Sequence, residues 1–218
     1  ARDDAGRTAI LRGARVHGQP VVEPITAPSE GTVSHRGVQE HFQRDAAGYY
    51  QRNYDAPRSR HQRALALRRE LCLGLLEGVA GPILDLGCGP GALAVPLARE
   101  GRQVIALDLS QRMVEEARRI IGDSGTCGYV VADATVLPFA ASSFEAVVTT
   151  GVLEYVPDVP LALSEIRRVL RPGGTLVATV SLPRRLERTV ARYLGGALMR
   201  LKNGGSVVAT YETSLYDE

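Results

Sequence analysis

Residues 83–181 repeat a pattern of short apolar runs separated by segments with helical spacing of hydrophobic residues. Runs of about four to eight apolar residues are typical of strands in a sheet that is covered on both faces. Strands are predicted at 83–86, 103–108, 128–132, 144–149 and 175–181, and helices at about 91–100, 110–121, 159–171 and 184–202. This alternation predicts an α/β fold: a doubly wound, mainly parallel Rossmann-like sheet with helices on both faces.

The segment before this alternation shows helical spacing only. A short helix with an aromatic face is predicted from Val38 through Tyr54, and a second helix with a leucine face at about 58–77. Residues 1–34 show no sustained periodicity and start at Ala1, which favours a poorly ordered extension or a processed end.

The predicted organisation is thus an extension followed by one domain. Its parts are an N-terminal extension (1–34) and a domain (35–218) made of helices over the site (35–80), a cofactor-binding core (81–181) and a substrate-side helix and tail (182–218).

A glycine-rich turn follows the first predicted strand. Residues 83–91 read Ile-Leu-Asp-Leu-Gly-Cys-Gly-Pro-Gly and continue into a helix. The backbone N–H groups of such a turn commonly face a ligand at a helix N-terminus, so we expect a nucleotide-like molecule here. The alternative is a turn that only packs strand against helix and binds no ligand.

Two classes of nucleotide compete for this turn. Gly87, Gly89 and Ala92 satisfy the loose dinucleotide fingerprint, and Asp108 follows about 20 positions later. Asp85 separates the classes, because a carboxylate about 4 Å from a pyrophosphate would be repelled by roughly 4 kcal/mol at an effective dielectric near 20. S-adenosylmethionine has no phosphate and carries an ammonium and a sulfonium. The sequence therefore favours S-adenosylmethionine over a dinucleotide such as NAD.

Polar residues also follow the later strands, at the edge of the sheet where ligands bind in this architecture. Asp108 would accept hydrogen bonds from a ribose diol, or it would cap the helix that begins near Ser110. Asp133 and Ala134 would meet an adenine, or they would be ordinary loop residues.

These motifs occur in an order that resembles the class I S-adenosylmethionine-dependent methyltransferases, and the resemblance covers residues 38 to about 181. It is nearest to the small-molecule enzymes of quinone, biotin-precursor and magnesium-porphyrin pathways. The motifs are Ile83-Leu-Asp-Leu-Gly-Cys-Gly-Pro-Gly91, Ile105-Ala-Leu-Asp-Leu-Ser110, Ala132-Asp-Ala-Thr-Val-Leu-Pro-Phe139, Val152-Leu-Glu-Tyr-Val-Pro-Asp158 and Val169-Leu-Arg-Pro-Gly-Gly-Thr-Leu176.

The resemblance implies S-adenosyl-L-methionine as the cofactor and methyl transfer to oxygen, nitrogen or carbon of a small molecule. It implies that the glycine turn holds the methionine portion, that residues 150–152 face the sulfonium and that an aromatic residue packs over the cofactor. The implied cofactor-binding residues are Tyr49, Asp85, Gly87, Cys88, Gly89, Asp108, Leu109, Met113, Asp133, Ala134, Thr150, Gly151 and Val152.

Methyl transfer requires alignment of the reacting atoms more than acid–base chemistry, so a proton acceptor is optional. By position, His41 and Tyr155 are the candidate catalytic residues, with His61 third, although a lone histidine is commonly a surface residue. Many relatives carry histidine where this chain has Tyr155. The three cysteines are widely spaced, which argues against a disulfide framework and against a metal site.

Composition adds three expectations about partners and location. The net charge of +2 gives no reason to expect nucleic acid, and no apolar run reaches the roughly 18 residues of a membrane span, so a cytoplasmic protein is predicted. Arginines cluster within 58–69 and 184–200, which indicates an acidic substrate or simply two solvated helix faces. The predicted helix 184–202 is amphipathic enough for peripheral contact with a membrane.

The C-terminal part departs from the family pattern. The family's sheet is completed by a helix and an antiparallel hairpin, but residues 182–218 leave room for one helix and the short run 207–211. We therefore expect the antiparallel strands to be missing or truncated, with the open sheet edge covered by a partner chain or a second copy. A catalytically silent partner subunit is accordingly an alternative to an enzyme. An NAD-dependent oxidoreductase is less favoured, since Lys202 is the only lysine and no Tyr-x-x-x-Lys pair exists.

Overall fold

A computed structural model describes residues 35–55, 59–123, 125–180 and 207–212 of the 218-residue chain. The helices are α1 (His35–Asp45), a π-helical turn (Gln51–Asp55), α2 (Arg60–Leu75), α3 (Ala94–Arg99), α4 (Gln111–Ile121), a 3-10 turn (Leu153–Tyr155) and α5 (Val159–Val169). The strands are β1 (Ile83–Leu86), β2 (Val104–Asp108), β3 (Cys127–Val131), β4 (Phe144–Thr150), β5 (Leu170–Val180) and β6 (Val207–Glu212).

The six strands form one sheet in the order β3-β2-β1-β4-β5-β6. Neighbouring strands from β3 to β5 are parallel, with Asp85 of β1 level with Ala106 of β2 and Val148 of β4. The chain crosses from β3 on one side of β1 to β4 on its other side, which creates a crevice at the carboxyl ends of these strands. The predicted doubly wound, mainly parallel α/β fold is therefore confirmed.

The central strands bury both of their faces. In β1, Leu84 and Leu86 pack into a core cluster with helix α5, whereas Ile83 packs on the opposite face with residues of α2 and α3. All four β1 side chains are buried, including that of Asp85. Burial on both faces explains why these strands read as continuous apolar runs in the sequence.

The expectation of missing antiparallel strands is wrong in one respect. Strand β6 pairs antiparallel with β5 from Thr175 opposite Glu212 to Val180 opposite Val207. Its sequence, Val-Val-Ala-Thr-Tyr-Glu, is rich in residues that favour strands. One antiparallel strand therefore occupies the sheet edge beside β5, the edge that was expected to lie open for a partner chain.

The helices start and end close to the predicted positions, with two differences. The aromatic segment expected as one helix is divided into α1 and the π-helical turn, and α5 ends at Val169 because Leu170 already begins β5. Helix α2 begins with a capping box, in which the Ser59 side chain accepts from the Gln62 N–H and the Gln62 side chain accepts from the Ser59 N–H.

Some predictions fall on other parts of the chain. The extension 1–34 and the amphipathic helix 184–202 lie outside the described residues, so they and the proposed division into parts stay predictions. Within the ranges that the structure does describe, no helix is both long enough and apolar enough to cross a membrane.

Candidate functional site

The glycine turn after β1 is held to β2 by three successive backbone amides. The N–H groups of Gly87 and Cys88 both donate to the Leu107 carbonyl oxygen, at 2.8 and 2.9 Å. The Gly89 N–H donates to Oδ2 of Asp108 at 2.9 Å. The expectation that these amides face a ligand is therefore wrong, because all three point at β2. Any ligand at this turn meets backbone whose N–H groups are already hydrogen-bonded.

Two of these glycines are required by geometry. Gly87 has φ +72°, and a Cβ atom there would overlap the Val152 side chain. Gly89 has φ +52°, and nothing lies within 4 Å of the position that its Cβ atom would take. Gly87 thus permits close packing of the turn, whereas Gly89 leaves open space in front of the backbone.

Asp85 is buried beneath the turn and does not line the cleft that the turn borders. Its Oδ2 atom accepts a hydrogen bond from the Ala94 N–H at 3.0 Å. Burial raises the pKa of Asp85 to about 7, against the lowering effect of that hydrogen bond and with a smaller contribution from the charge of Asp108. Asp85, which was predicted to bind the cofactor, does not reach the cleft, because side chains alternate along β1 and Asp85 points to the face that carries α3.

Asp108, at the end of β2, lines the cleft and is hydrogen-bonded both to the glycine turn and to the start of α4. Besides the bond from Gly89, its Oδ1 atom accepts from the Ser110 N–H at 2.8 Å. Burial raises the pKa of Asp108, and these backbone hydrogen bonds oppose that shift. The cap of α4 is Ser110, whose Oγ accepts from the Met113 N–H at 3.3 Å. The helix-cap alternative therefore applies to Ser110 and not to Asp108.

Asp133 and Ala134 follow β3 in a loop that is tied down locally. The Oδ1 atom of Asp133 accepts from both the N–H and the hydroxyl of Thr135, at 2.8 and 2.7 Å. Arg168 of α5 donates to the carbonyl oxygens of Leu137 and Phe139 farther along the loop. Hydrogen bonds between side chains and backbone fix the geometry of a loop, so Asp133 and Ala134 hold a defined position at the cleft.

The opposite end of the cleft is formed by the residues after β4. Thr150, Gly151 and Val152 line it, and the Gly151 N–H donates to the Thr179 hydroxyl at 3.1 Å. Tyr155 also lines it, and its ring meets that of Phe42 edge to face, with centroids 5.4 Å apart. Burial, and then the negative charge of Glu154, raise the pKa of Tyr155.

Helix α1 and the π-helical turn cover the cleft. The Gln39 side chain donates to the Leu109 carbonyl oxygen at 3.1 Å, which ties α1 to the loop after β2. Tyr49 and Tyr54 line the cleft, whereas Tyr50 only packs on Tyr54, at 5.5 Å between ring centroids. Burial raises the pKa of Tyr54 well above its usual range.

The cleft encloses about 970 Å³ of space, including its open mouth. All predicted cofactor-binding residues except Asp85 line it, and so does Tyr155. His41 does not: its side chain is exposed, and its ring contacts Phe42 at 5.0 Å between centroids. His61 on α2 is exposed as well and lies outside the lining.

The charge of the lining is one-sided. Asp108 and Asp133 contribute carboxylates, and none of the lining residues in the described part of the chain is lysine, arginine or histidine. The described residues also hold no group of three or more side chains that could bind a metal ion. Burial raises the pKa of the Cys88 thiol well above its ordinary value, so this cysteine of the turn is not poised as a nucleophile.

Several lining residues were not predicted. They come mainly from α1, the π-helical turn and the loop after the 3-10 turn: Val38, Gln39, Phe42, Tyr54, Val156 and Pro157. The aromatic residues among 42–54 were the one available signal, since an unusual share of the chain's few aromatic residues falls there.

Comparisons with known proteins agree with this geometry. Residues 84–178 match a family model described as a methyltransferase domain. The chain is 41% identical over 137 residues to the ubiquinone biosynthesis O-methyltransferase of Methylocella silvestris, covering 62% of this chain and 51% of that protein. It is 43% identical over 100 residues to the demethylmenaquinone methyltransferase of Clavibacter sepedonicus, covering 45% and 41%. The chain thus spans about half the length of these curated relatives.

The fold also matches a solved structure. The magnesium protoporphyrin IX methyltransferase of Synechocystis PCC 6803, solved with bound S-adenosylmethionine, superposes with a TM-score of 0.64 at 19% identity, covering 83% of this chain and 97% of that one. The predicted resemblance to methyltransferases is confirmed for residues 84–178. Over residues 84–178, this chain is therefore similar to the methyltransferase domain family.

Proposed function

We propose that this chain transfers a methyl group from S-adenosylmethionine to a small-molecule acceptor. The observation that carries the proposal is the cleft at the carboxyl edge of the sheet, where the glycine turn, Asp108, Asp133 and residues 150–152 surround one space. Four separate strand ends contribute to it, as expected for a nucleoside ligand in a doubly wound sheet.

The chemistry of the lining favours a sulfonium nucleoside over a dinucleotide. A pyrophosphate is usually held by free backbone amides at a helix N-terminus or by basic side chains. Here the amides of residues 87–89 are consumed by Leu107 and Asp108, and the described lining has no basic residue. The carboxylates suit a ligand with positive charge and hydroxyl groups. These features weigh against the NAD-dependent alternative.

We assign residue roles accordingly. The open space at Gly89 receives the methionine portion, and Asp108 accepts hydrogen bonds from the ribose hydroxyls with lone pairs that its two backbone bonds leave over. Asp133 and Ala134 take the adenine, and residues 150–152 face the reacting end. S-adenosylmethionine, when bound, would supply an electrophilic methyl group to the acceptor. Asp85 supports the turn from behind.

The protein's contribution is alignment and exclusion of water. Phe42 and Tyr155, in edge-to-face contact, close the cleft on the side of residues 150–152. Tyr155 is a poor proton acceptor, because its raised pKa keeps the phenol protonated at neutral pH. We therefore give Tyr155 a role in shaping the acceptor site and give no role in proton transfer to His41, which lies behind Phe42.

The names of the relatives favour a small organic acceptor, such as a quinone precursor or a carrier-bound acid. An acidic acceptor also fits the arginine cluster of α2. A cytoplasmic location remains part of the proposal, because the reaction needs a compartment that supplies S-adenosylmethionine.

Calorimetric titration of the purified chain with S-adenosylmethionine, S-adenosylhomocysteine and NAD tests the proposal. Binding of both sulfur nucleosides and no binding of NAD is expected. Tight NAD binding without a response to the sulfur nucleosides would overturn it. Incubation of the chain with radiolabelled S-adenosylmethionine and a metabolite extract then separates an enzyme from a silent subunit, since only an enzyme labels an acceptor.

A further inference from the structure

Arg68 of α2 stands beside the acceptor end of the cleft. Its side chain is partly buried, and its Nη1 atom lies 3.2 Å from the position that a Cβ atom would take on Gly151. Burial raises the pKa of Tyr54 and of Tyr155, which both line the cleft, and the charge of Arg68 opposes part of that rise. The guanidinium of Arg68 thus lies next to Gly151 in the wall of the cleft, and Gly151 has no side chain to stand between that guanidinium and its own backbone.

This guanidinium has no bonding partner among the described residues: no hydrogen bond and no ion pair involves it. Among the described residues three other arginines are partly buried, and one of them, Arg69, lies over the Tyr54 ring at 5.6 Å from its centroid. Arg102 donates to the carbonyl oxygens of Leu76 and Val79, and Arg168 pairs with Glu165. Arg68 is only partly buried, and none of its nitrogen atoms is both fully buried and unpaired, so its guanidinium is open to an acceptor from outside the protein.

The carboxyl group of Glu154 is not bonded to this guanidinium. Its Oε1 atom lies 3.7 Å from the same Cβ position on Gly151, and it forms no ion pair with Arg68 within the described structure. Its Oε2 atom is fully buried and accepts no hydrogen bond from the described residues. Burial raises the pKa of Glu154, and the nearby charge of Arg68 opposes part of that rise.

We propose that the methyl acceptor carries a carboxylate and that Arg68 binds this group at Gly151. This inference rests on the proposed function and adds the substrate class and the residue that recognises it. A guanidinium binds a carboxylate through paired, charge-assisted hydrogen bonds. An anion at this position would also be attracted to the sulfonium of the cofactor, whereas the carboxylates of Asp108 and Asp133 would repel it from the nucleoside end. The acceptor is thereby oriented along the cleft.

The lack of a side chain at Gly151 is part of the proposed site. Gly151 has φ +65°, and an added Cβ atom would stand 3.2 Å from Nη1 of Arg68. A larger residue would therefore separate Arg68 from any bound acid.

The test uses paired neutral and anionic probes. The full chain, saturated with S-adenosylhomocysteine, is titrated with short carboxylates from acetate to benzoate and with the corresponding primary amides. The same titrations are run without the nucleoside, so that the preference is measured even if the nucleoside does not bind. We expect benzoate to bind on the order of 10- to 100-fold more tightly than benzamide, the factor expected for one or two charge-assisted hydrogen bonds.

Three variants test whether Arg68 causes the preference for the carboxylate over the amide. Arg68→Gln is expected to abolish it and Arg68→Lys to retain part of it, while cofactor affinity and the circular dichroism spectrum stay unchanged. Arg99→Gln, at an exposed arginine at the end of α3, is the matched control and should keep the full preference. Equal binding of acid and amide, no binding of either, or a preference that survives in Arg68→Gln would overturn the inference. Failure of S-adenosylhomocysteine to bind would instead contradict the proposed function.

Discussion

Replacement of Asp108 by asparagine separates a ligand-binding role from a structural one. The carboxylate accepts the Gly89 N–H at 2.9 Å and the Ser110 N–H at 2.8 Å, and it lines the cleft. Asparagine has nearly the same shape and retains one oxygen for one of these amides. It removes the negative charge that we propose for the ribose hydroxyls.

The expected magnitudes follow from these contacts. Loss of a hydrogen bond to a charged group costs about 1.5 to 3 kcal/mol, so the Kd for S-adenosylmethionine should rise roughly 10- to 150-fold. The free energy of unfolding should fall by only about 1 kcal/mol, since one backbone amide loses its partner while the desolvated charge is removed. Asp108→Ala leaves both amides unsatisfied and should cost about 2 to 4 kcal/mol of stability.

Calorimetry with S-adenosylmethionine and urea denaturation of the same preparations measure the two quantities separately. Asp158→Asn is the matched control, because Asp158 also accepts a backbone N–H, that of Leu161 at 3.0 Å, but does not line the cleft. We expect this control to lose some stability and to keep its affinity for the cofactor. If Asp108→Asn binds the cofactor within about twofold of the wild type and only its stability falls, Asp108 is a structural residue and the ribose assignment is refuted.

Three further outcomes are expected. Gly89→Ala and Gly125→Ala both place alanine at positive φ in open space, and each should lower the free energy of unfolding in urea by about 1 to 2 kcal/mol. Only Gly89→Ala should weaken cofactor binding. Equal cofactor affinities of the two variants would show that Gly89 is not part of the site. Asp85→Asn should gain stability over the wild type as the pH rises from about 4 to about 7, by at most about 1.4 kcal/mol per pH unit. In this range the buried carboxyl of the wild type, with its pKa raised to about 7, stays protonated while the same group ionises in the unfolded chain, which stabilises the unfolded chain. Parallel stability curves would contradict the raised pKa. Tyr155→Phe should keep most of the methyl-transfer rate, because the protonated phenol does not accept the proton; a rate loss with an altered pH profile would assign it a chemical role.

The sheet and the cofactor side of the cleft could be predicted because their signals are local. A buried parallel strand is an apolar run, and the polar residue that ends it lies at a known edge of the sheet. Asp108 and Asp133 were placed by this reasoning alone. The pairing of β6 with β5 could not be predicted, because a six-residue run of strand-forming residues does not show which edge of the sheet it will join.

What could not be predicted depends on contacts between distant segments. The direction of the amides in the glycine turn is set by the Leu107 carbonyl of β2, and the burial of Asp85 is set by α3. Likewise, Phe42 reaches the cleft only because α1 is tied to the loop after β2 through Gln39. Arg68 was one of many arginines in the sequence, and only its position beside Gly151 distinguishes it.

The inward orientation of the amides at residues 87–89 has a consequence for selectivity among metabolites. Adenine nucleotides that carry phosphates share the adenosine moiety with S-adenosylmethionine and would compete for the same adenine and ribose contacts. The N–H groups of residues 87–89 donate to Leu107 and Asp108 and are not available to those phosphates, and the neighbouring carboxylates repel them. The turn therefore disfavours nucleotides such as ATP, and the affinity of ATP for this chain should remain far below that of S-adenosylhomocysteine.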